Sequence, residues 1–315
     1  MQRRSFFGAV FAGLGSAATA KPAPPPAGDI PMRTLGKTGQ KVTMIGMGGA
    51  RFHMISKEEG VALVRRAHDL GVTFFDMARD YSNGYGEQVY GEAIQPFRKD
   101  IFLVSKTLKR TRQAAEQELE TSLRLLKTDH LDLWHMHGVS YKRYIDQLFG
   151  PGGAYEAFYA AKKAGKVRFI GYSNCRDPLN HVEMLKHAEQ FDVAVMPLHI
   201  ADSSFSDEPA MSFEKTALPA AVERGVGIVA IKVFGNAFLL RTFASTDCVR
   251  FALSLPLTTM ALGFNTIGQL EDNVRTAQNF KPLTAEEMAA LRARAASGRF
   301  DAIRGSALEY WKTRD

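Results

Sequence analysis

At 315 residues, with 45% hydrophobic and 23% charged side chains, the chain has core enough for one large α/β barrel or two ordinary domains. Its formal net charge of +7 is spread without a Lys/Arg block, so there is no dedicated nucleic-acid surface, and small anionic partners remain. The two cysteines, Cys175 and Cys248, make neither a disulfide framework nor a C-x-x-C metal spacing; whether they pair stays open.

The chain begins with Gln2-Arg3-Arg4-Ser5-Phe6-Phe7, a weakly apolar Gly/Ala segment from Gly8 to Ser16, and the small-residue site Ala18-Thr19-Ala20. The apolar part is too short to span a bilayer. This stretch resembles a twin-arginine export signal. The resemblance implies a signal peptide over 1–20 cut after Ala20, the twin-arginine export machinery as a partner, and a periplasmic or otherwise exported product. If the signal is not used, the product stays cytoplasmic. Cleavage would leave 38 basic against 33 acidic residues and no stable membrane span. Residues 21–31, with four prolines between Lys21 and Ala27, read as an extended linker, and 32–315 as the folded unit.

From Met32 the pattern is regular. A small hairpin with a Gly-containing turn around Gly36–Gly39 precedes a first long strand, Val42 to Met47. Ser56-Lys57-Glu58-Glu59 is a capping box that opens a helix through Leu70, stopped at Gly71. Strands then follow at 72–76, 101–105, 131–137, 167–172, 193–196, 227–233 and 259–262. Helices alternate with them, near 87–94, 112–127, 154–164, after Asp177-Pro178, 213–224, 246–254 and 266–278, and a last one begins at Thr284. The strand runs are almost continuously apolar, as parallel strands covered on both faces must be. Gly46-Met47-Gly48-Gly49 does not match the G-x-G-x-x-G of an open nucleotide-binding sheet, so a closed (β/α)8 barrel with an N-terminal β-hairpin is expected.

In such a barrel, chemistry gathers at the carboxyl ends of the strands. Those ends carry Asp76 with Tyr81, Lys106, His137, and Ser173-Asn174. Each has an ordinary structural role when taken singly. Together they suit the reduction of a carbonyl: a phenol to donate a proton, an ammonium to lower its pKa, a carboxylate to hold the ammonium, and an imidazole to orient the carbonyl oxygen. An amide and a hydroxyl can grip a nicotinamide carboxamide, and the hydride must come from a cofactor. His135 and His137 share a strand face, but too few further ligands lie near other strand ends for a metal-hydrolase reading, so no metal is expected. Arg51, Phe52 and His53, Tyr85, the loop from Val139 to Tyr144, and the C-terminal Phe300 and Trp311 lie where substrate contacts arise, each with packing as an equal role.

The order and spacing of Arg33-Thr34-Leu35-Gly36-Lys37-Thr38-Gly39, Phe75-Asp76-x4-Tyr81, Val104-Ser105-Lys106-Thr107, Asp132 to His137, Lys166 to Asn174 and Gln269-Leu270-Glu271-Asp272-Asn273 resemble the aldo-keto reductase family over residues 32–284. The resemblance implies a catalytic tetrad of Asp76, Tyr81, Lys106 and His137. It also implies nicotinamide-amide contacts at Ser173 and Asn174, and contacts to the adenine end at Asp272 and Asn273. Three places depart from the family pattern. Val195 stands where a carboxamide-binding Gln is usual. Ile231-Lys232 replace a stacking Tyr and the Ser after it, with Lys232 set to reach the pyrophosphate. Gly263 and Gln269 fall where NADPH-preferring members carry Lys and Arg for the 2′-phosphate. The expected cofactor is NADP(H), with NAD(H) the alternative. The expected activity is reduction of an aldehyde or ketone, or oxidation of the corresponding alcohol. A non-catalytic, nucleotide-binding redox sensor is the rival.

Overall fold

The computed structural model describes residues 28–187, 189–202 and 212–296. The expected signal, most of the linker, and Phe300 and Trp311 lie outside the described residues. Ten strands are described. Strands β1 (Met32–Thr34) and β2 (Lys41–Thr43) pair antiparallel. The other eight close into a parallel barrel: β3 (Ile45–Gly48), β4 (Phe74–Asp76), β5 (Phe102–Thr107), β6 (Leu131–Met136), β7 (Val167–Ser173), β8 (Val193–Pro197), β9 (Gly227–Ile231) and β10 (Thr259–Gly263), with β10 pairing β3.

Inward and outward side chains alternate along each strand. Phe74, Phe102, Val104, Leu133, Val193, Val195 and Val229 fill the interior, with Leu35 and Val42 from the hairpin region in the same cluster. Their neighbours Phe75, Leu103, Trp134, Ile170, Ala194 and Ala230 pack against the helices; Trp134 stacks on Phe158 with ring centroids 3.8 Å apart. Where Gly171 faces inward, an added Cβ would lie 2.7 Å from the ring of His135, so glycine there makes room for that buried imidazole.

The helices are α1 (Lys57–Asp69), α2 (Tyr85–Ala93), α3 (Arg112–Leu126), α4 (Lys142–Phe149), α5 (Ala154–Lys163), α6 (Pro178–Leu185), α7 (Leu218–Glu223), α8 (Ser245–Leu253), α9 (Ile267–Gln278) and α10 (Ala285–Ala296). The Ser56 capping box forms as expected, and Asp177 caps α6 through Leu179 N at 2.8 Å. Thr266 Oγ1 caps α9 by accepting from Gln269 N, while Gln269 Oε1 accepts from Asn265 N rather than from the capping residue, a box shifted by one.

The structure differs most from the sequence expectation in three elements. The single strand from Val42 to Met47 is two, because Met44 turns to bond Pro31 O (2.9 Å) and the chain passes from hairpin to barrel there. The helix at 213–224 opens as a wide π-type turn, Phe213–Ala217, before α7, whose first turn holds Pro219, a residue with no amide proton to give a regular ladder. Helix α4 lies in a stretch read as loop; its spacing of Ile145, Leu148 and Phe149 is the ordinary amphipathic signal, and it is short enough to pass for a connection.

Candidate active site

Asp76 ends β4 and Lys106 lies one residue short of the end of β5. In the pairing register Asp76 is level with Val104, so Lys106 sits two residues further along the same inward face. Its stem therefore needs only to lean back. Lys106 Nζ donates to Asp76 Oδ2 at 2.8 Å and to Met77 O at 2.7 Å, and both side chains are almost wholly removed from water. On its outward face β5 is tied to α2 by Ser105 Oγ, which donates to the buried Glu87 Oε1 at 2.7 Å.

Tyr81 stands on the short turn Tyr81–Gly84 after β4. Lys106 Nζ lies 5.2 Å from the centre of its ring, and the His137 ring meets it edge-on at 5.8 Å. His137 follows β6, and its backbone N–H donates to Thr107 O (2.9 Å). The structure thus brings Asp76, Lys106, Tyr81 and His137 together at the carboxyl end of the barrel.

One member of this group was not read from the sequence. His137 Nδ1 is 2.8 Å from Asp80 Oδ1, which fixes the imidazole and leaves Nε2 as the nitrogen free for a ligand. Desolvation works to push the Asp80 carboxyl up, but the charge and hydrogen bond of His137 overcome it and hold the pKa below the ordinary value. The available signal was a carboxylate directly before Tyr81. Its partner, 57 residues on, was not visible.

The expected lowering of the Tyr81 pKa by an ammonium is corrected by the electrostatics. Burial, followed by the carboxylates of Asp76 and Asp80, raises the phenol well above its ordinary value. The Lys106 ammonium, 5.2 Å from the ring centre, is paired with Asp76 at 2.8 Å, which offsets part of its field at the phenol. Tyr81 therefore stays a protonated phenol throughout the physiological range.

The other expected residues are more dispersed. Ser173 Oγ accepts from Gly138 N at 3.3 Å. The Asn174 carboxamide is buried and used within its own loop: Nδ2 donates to Asp177 O (2.7 Å) and Oδ1 accepts from Arg176 N (2.8 Å). A ligand carboxamide would have to displace those bonds. Val195 lies in the barrel interior as a purely apolar residue. Lys232 leaves β9 at φ +59, which ends the expected strand short of Val233. Gly263 ends β10, and Gln269, Asp272 and Asn273 lie on α9. Asp272 pairs with Arg275 on the surface at 3.0 Å. Asn273 is buried; Nδ2 donates to Gln269 O (2.6 Å), and Oδ1 has no partner among the described residues.

His135 is fully buried and level with Lys106 in the β5–β6 register, and burial holds its pKa well below the ordinary value, so it is a neutral interior imidazole. Among the described residues no three His, Cys, Asp or Glu side chains cluster to hold a metal, and no helix is long and apolar enough to cross a membrane. Both cysteines are free thiols, with burial pushing Cys248 up to about 12.

The model of the Aldo/keto reductase family matches residues 44–247, well over half of the chain. The chain belongs to the aldo/keto reductase family. Among curated proteins of the family it is 28% identical to L-galactose dehydrogenase of Arabidopsis thaliana over 220 residues, 64% of each chain. It is also 28% identical to the aldo-keto reductase yakc [NADP(+)] of Schizosaccharomyces pombe over 236 residues, 69% of this chain and 65% of that one. The matches thus span just under two-thirds of these relatives' own length. Among solved structures, the aldo-keto reductase AKR11C1 of Bacillus halodurans in its holo form superposes with a TM-score of 0.70 at 22% identity, over 87% of this chain and 99% of that one. An aldo/keto reductase of Klebsiella pneumoniae in complex with NADP and acetate gives the same TM-score and identity, over 85% and 96%. At that identity the superpositions speak for the family's barrel.

Proposed function

We propose that the protein is an NAD(P)H-dependent oxidoreductase that reduces an aldehyde or ketone, or oxidises the corresponding alcohol, with Tyr81 as general acid. The observation that carries this reading is the convergence of the buried Lys106–Asp76 pair, Tyr81 and His137 on one barrel mouth. NADP(H) is the cofactor favoured, in keeping with the NADP complex of the Klebsiella protein and the NADP(+) in the name of the Schizosaccharomyces one. NAD(H) is the alternative, since Gly263 and Gln269 are both neutral.

The residues present suit a dinucleotide best at its adenine end. There the buried Asn273 Oδ1 is an acceptor without a partner among the described residues, suited to an amino donor. Ser173, Asn174 and Lys232 would serve the nicotinamide and pyrophosphate. When bound, the reduced nicotinamide supplies a hydride to the carbonyl carbon.

The chain's own residues do the rest. With Nδ1–H given to Asp80, His137 holds the carbonyl oxygen in its imidazolium form, by donating Nε2–H to it. As negative charge develops on that oxygen, the Tyr81 phenol gives up its proton to it. Lys106 stands 5.2 Å from the Tyr81 ring to stabilise the phenolate then formed, and Asp76 keeps the ammonium in place. Alcohol oxidation runs these steps in reverse and starts from the Tyr81 phenolate, so it is favoured at alkaline pH.

Tyr81→Phe tests the assignment. It removes one oxygen and leaves the ring contact with His137. Cofactor oxidation with an accepted aldehyde is expected to fall by at least about a hundredfold, the usual scale of general acid catalysis, with nucleotide affinity little changed. A variant as fast as the parent would remove Tyr81 from the mechanism. Tight nucleotide binding by the parent, with no turnover of any carbonyl or alcohol, would favour the non-catalytic sensor.

A further inference from the structure

The seam where the barrel closes has no side chains at its mouth. Gly263, the last residue of β10, is the register partner of Gly48, the last of β3, and Gly49 follows. Paired glycines let another group approach the backbone closely. What lies over this seam is Arg51. A Cβ added to Gly263 would be 3.0 Å from Arg51 Cγ and 3.8 Å from its Cβ, so the aliphatic stem of Arg51 occupies the space a side chain at 263 would take.

The guanidinium beyond that stem is only partly buried, and its contact among the described residues is the uncharged Met54 thioether, with Nη1 3.5 Å from Sδ. No described carboxylate pairs with it. A cation held at a bare backbone seam without a counter-charge is set up for an anion.

The position decides which anion. In (β/α)8 barrels phosphate groups are frequently bound by the loops after the seventh and eighth strands together with a nearby helix N-terminus. Here those strands are β9 and β10, and the helix is the twelve-residue α9, whose start is open: a side chain added at Gly268 would meet nothing within 4 Å. Independently, the buried Asn273 carboxamide leans back over the first turn of α9. Its Nδ2 bonds the Gln269 carbonyl, and its Oδ1 has no partner among the described residues.

We propose that Arg51, from the loop after β3, is the cation that binds a phosphate of the dinucleotide at the β3–β10 seam. It would replace from across the seam the charge that position 263 lacks. The proposal rests on the reading of this mouth as a dinucleotide site.

The test is equilibrium binding of NADPH and of NADH, followed by nucleotide fluorescence, to the intact protein and to Arg51→Met and Arg51→Lys. Arg51→Met keeps the stem over Gly263 and removes the charge; thermal melting would check that it folds like the parent. Loss of about tenfold or more in NADPH affinity with NADH unchanged is expected if the phosphate is the 2′ group. A similar loss for both nucleotides is expected if it is the diphosphate. In either case Arg51→Lys should recover part of the loss. Unchanged affinity of Arg51→Met for both nucleotides overturns the assignment of Arg51. A parent that binds neither nucleotide overturns the dinucleotide reading itself, and the inference with it.

Discussion

An ammonium and a carboxylate taken out of water together cost desolvation energy that only their mutual contact offsets. Lys106 and Asp76 are such a pair, each about as buried as the apolar side chains around it. Removing one partner leaves the other charged and uncompensated. Asp76→Leu is therefore expected to lower stability by about 3–5 kcal/mol, read from the denaturant midpoint. The double variant Asp76→Leu, Lys106→Met should recover most of that loss, because an apolar pair of similar size carries no such cost. A single variant as stable as the parent would mean that the pair is not buried as described. The double variant also separates stability from chemistry: it should fold and yet not turn over a carbonyl. The same reasoning explains Tyr81. Burial, followed by the two nearby carboxylates, pushes its pKa up.

The elements around the site are held by close backbone approaches as well as by side chains. Gly91 of α2 faces α3 so closely that a Cβ there would lie 2.0 Å from the Leu125 carbonyl oxygen. Helix propensity alone would favour alanine at this position by about 1 kcal/mol. The clash with backbone, which has no rotamer to escape into, outweighs that. Gly91→Ala is expected to destabilise the protein by about 1–3 kcal/mol, as overpacked cores do, with a lower melting temperature. A rise in melting temperature would show that α2 and α3 can separate freely. Because α2 also carries Glu87, the partner of Ser105, a shift of this helix is transmitted to the strand that presents Lys106. A second approach of this kind seats the hairpin region: Gly36, at φ +49, has room for no Cβ, which would lie 2.2 Å from Gly227 N.

At the scale of the whole molecule, desolvated histidines contribute to the response to acid. Burial lowers His181 to about 4, only partly opposed by its hydrogen bond to Asn174 O; desolvation, partly opposed by the Asp202 charge, lowers the half-buried His199 to about 4 as well. Each is neutral in the fold and protonates more readily when the chain unfolds. Their contribution is thus fully present above the unfolded pKa near 6.5 and is lost as pH falls from there toward 4. For His181 the loss is on the order of 3 kcal/mol, at about 1.4 kcal/mol per unit. The melting temperature is expected to drop across that window, and His181→Gln, which does not titrate, should make the drop shallower. Equal slopes for the two proteins would show that His181 is accessible to protons in the fold.

Much of this was legible in the chain itself. Alternation and apolar runs are local, so Phe74, Val104, Leu133 and Val229 announced an enclosed parallel sheet, and the residues that close each strand announced where its chemistry would lie. Helix stops and starts such as Ser56 and Asp177 were equally local, since a cap satisfies amides two or three residues away. What only the tertiary structure decided are the contacts made by closure of the barrel. Asp80 reaches His137 across 57 residues, and Arg51 lies over Gly263 because the first and last barrel strands meet. The charge balance at Tyr81 belongs to the same class: residue types place an ammonium near a phenol, but only distance and burial determine that desolvation and the two aspartates outweigh it.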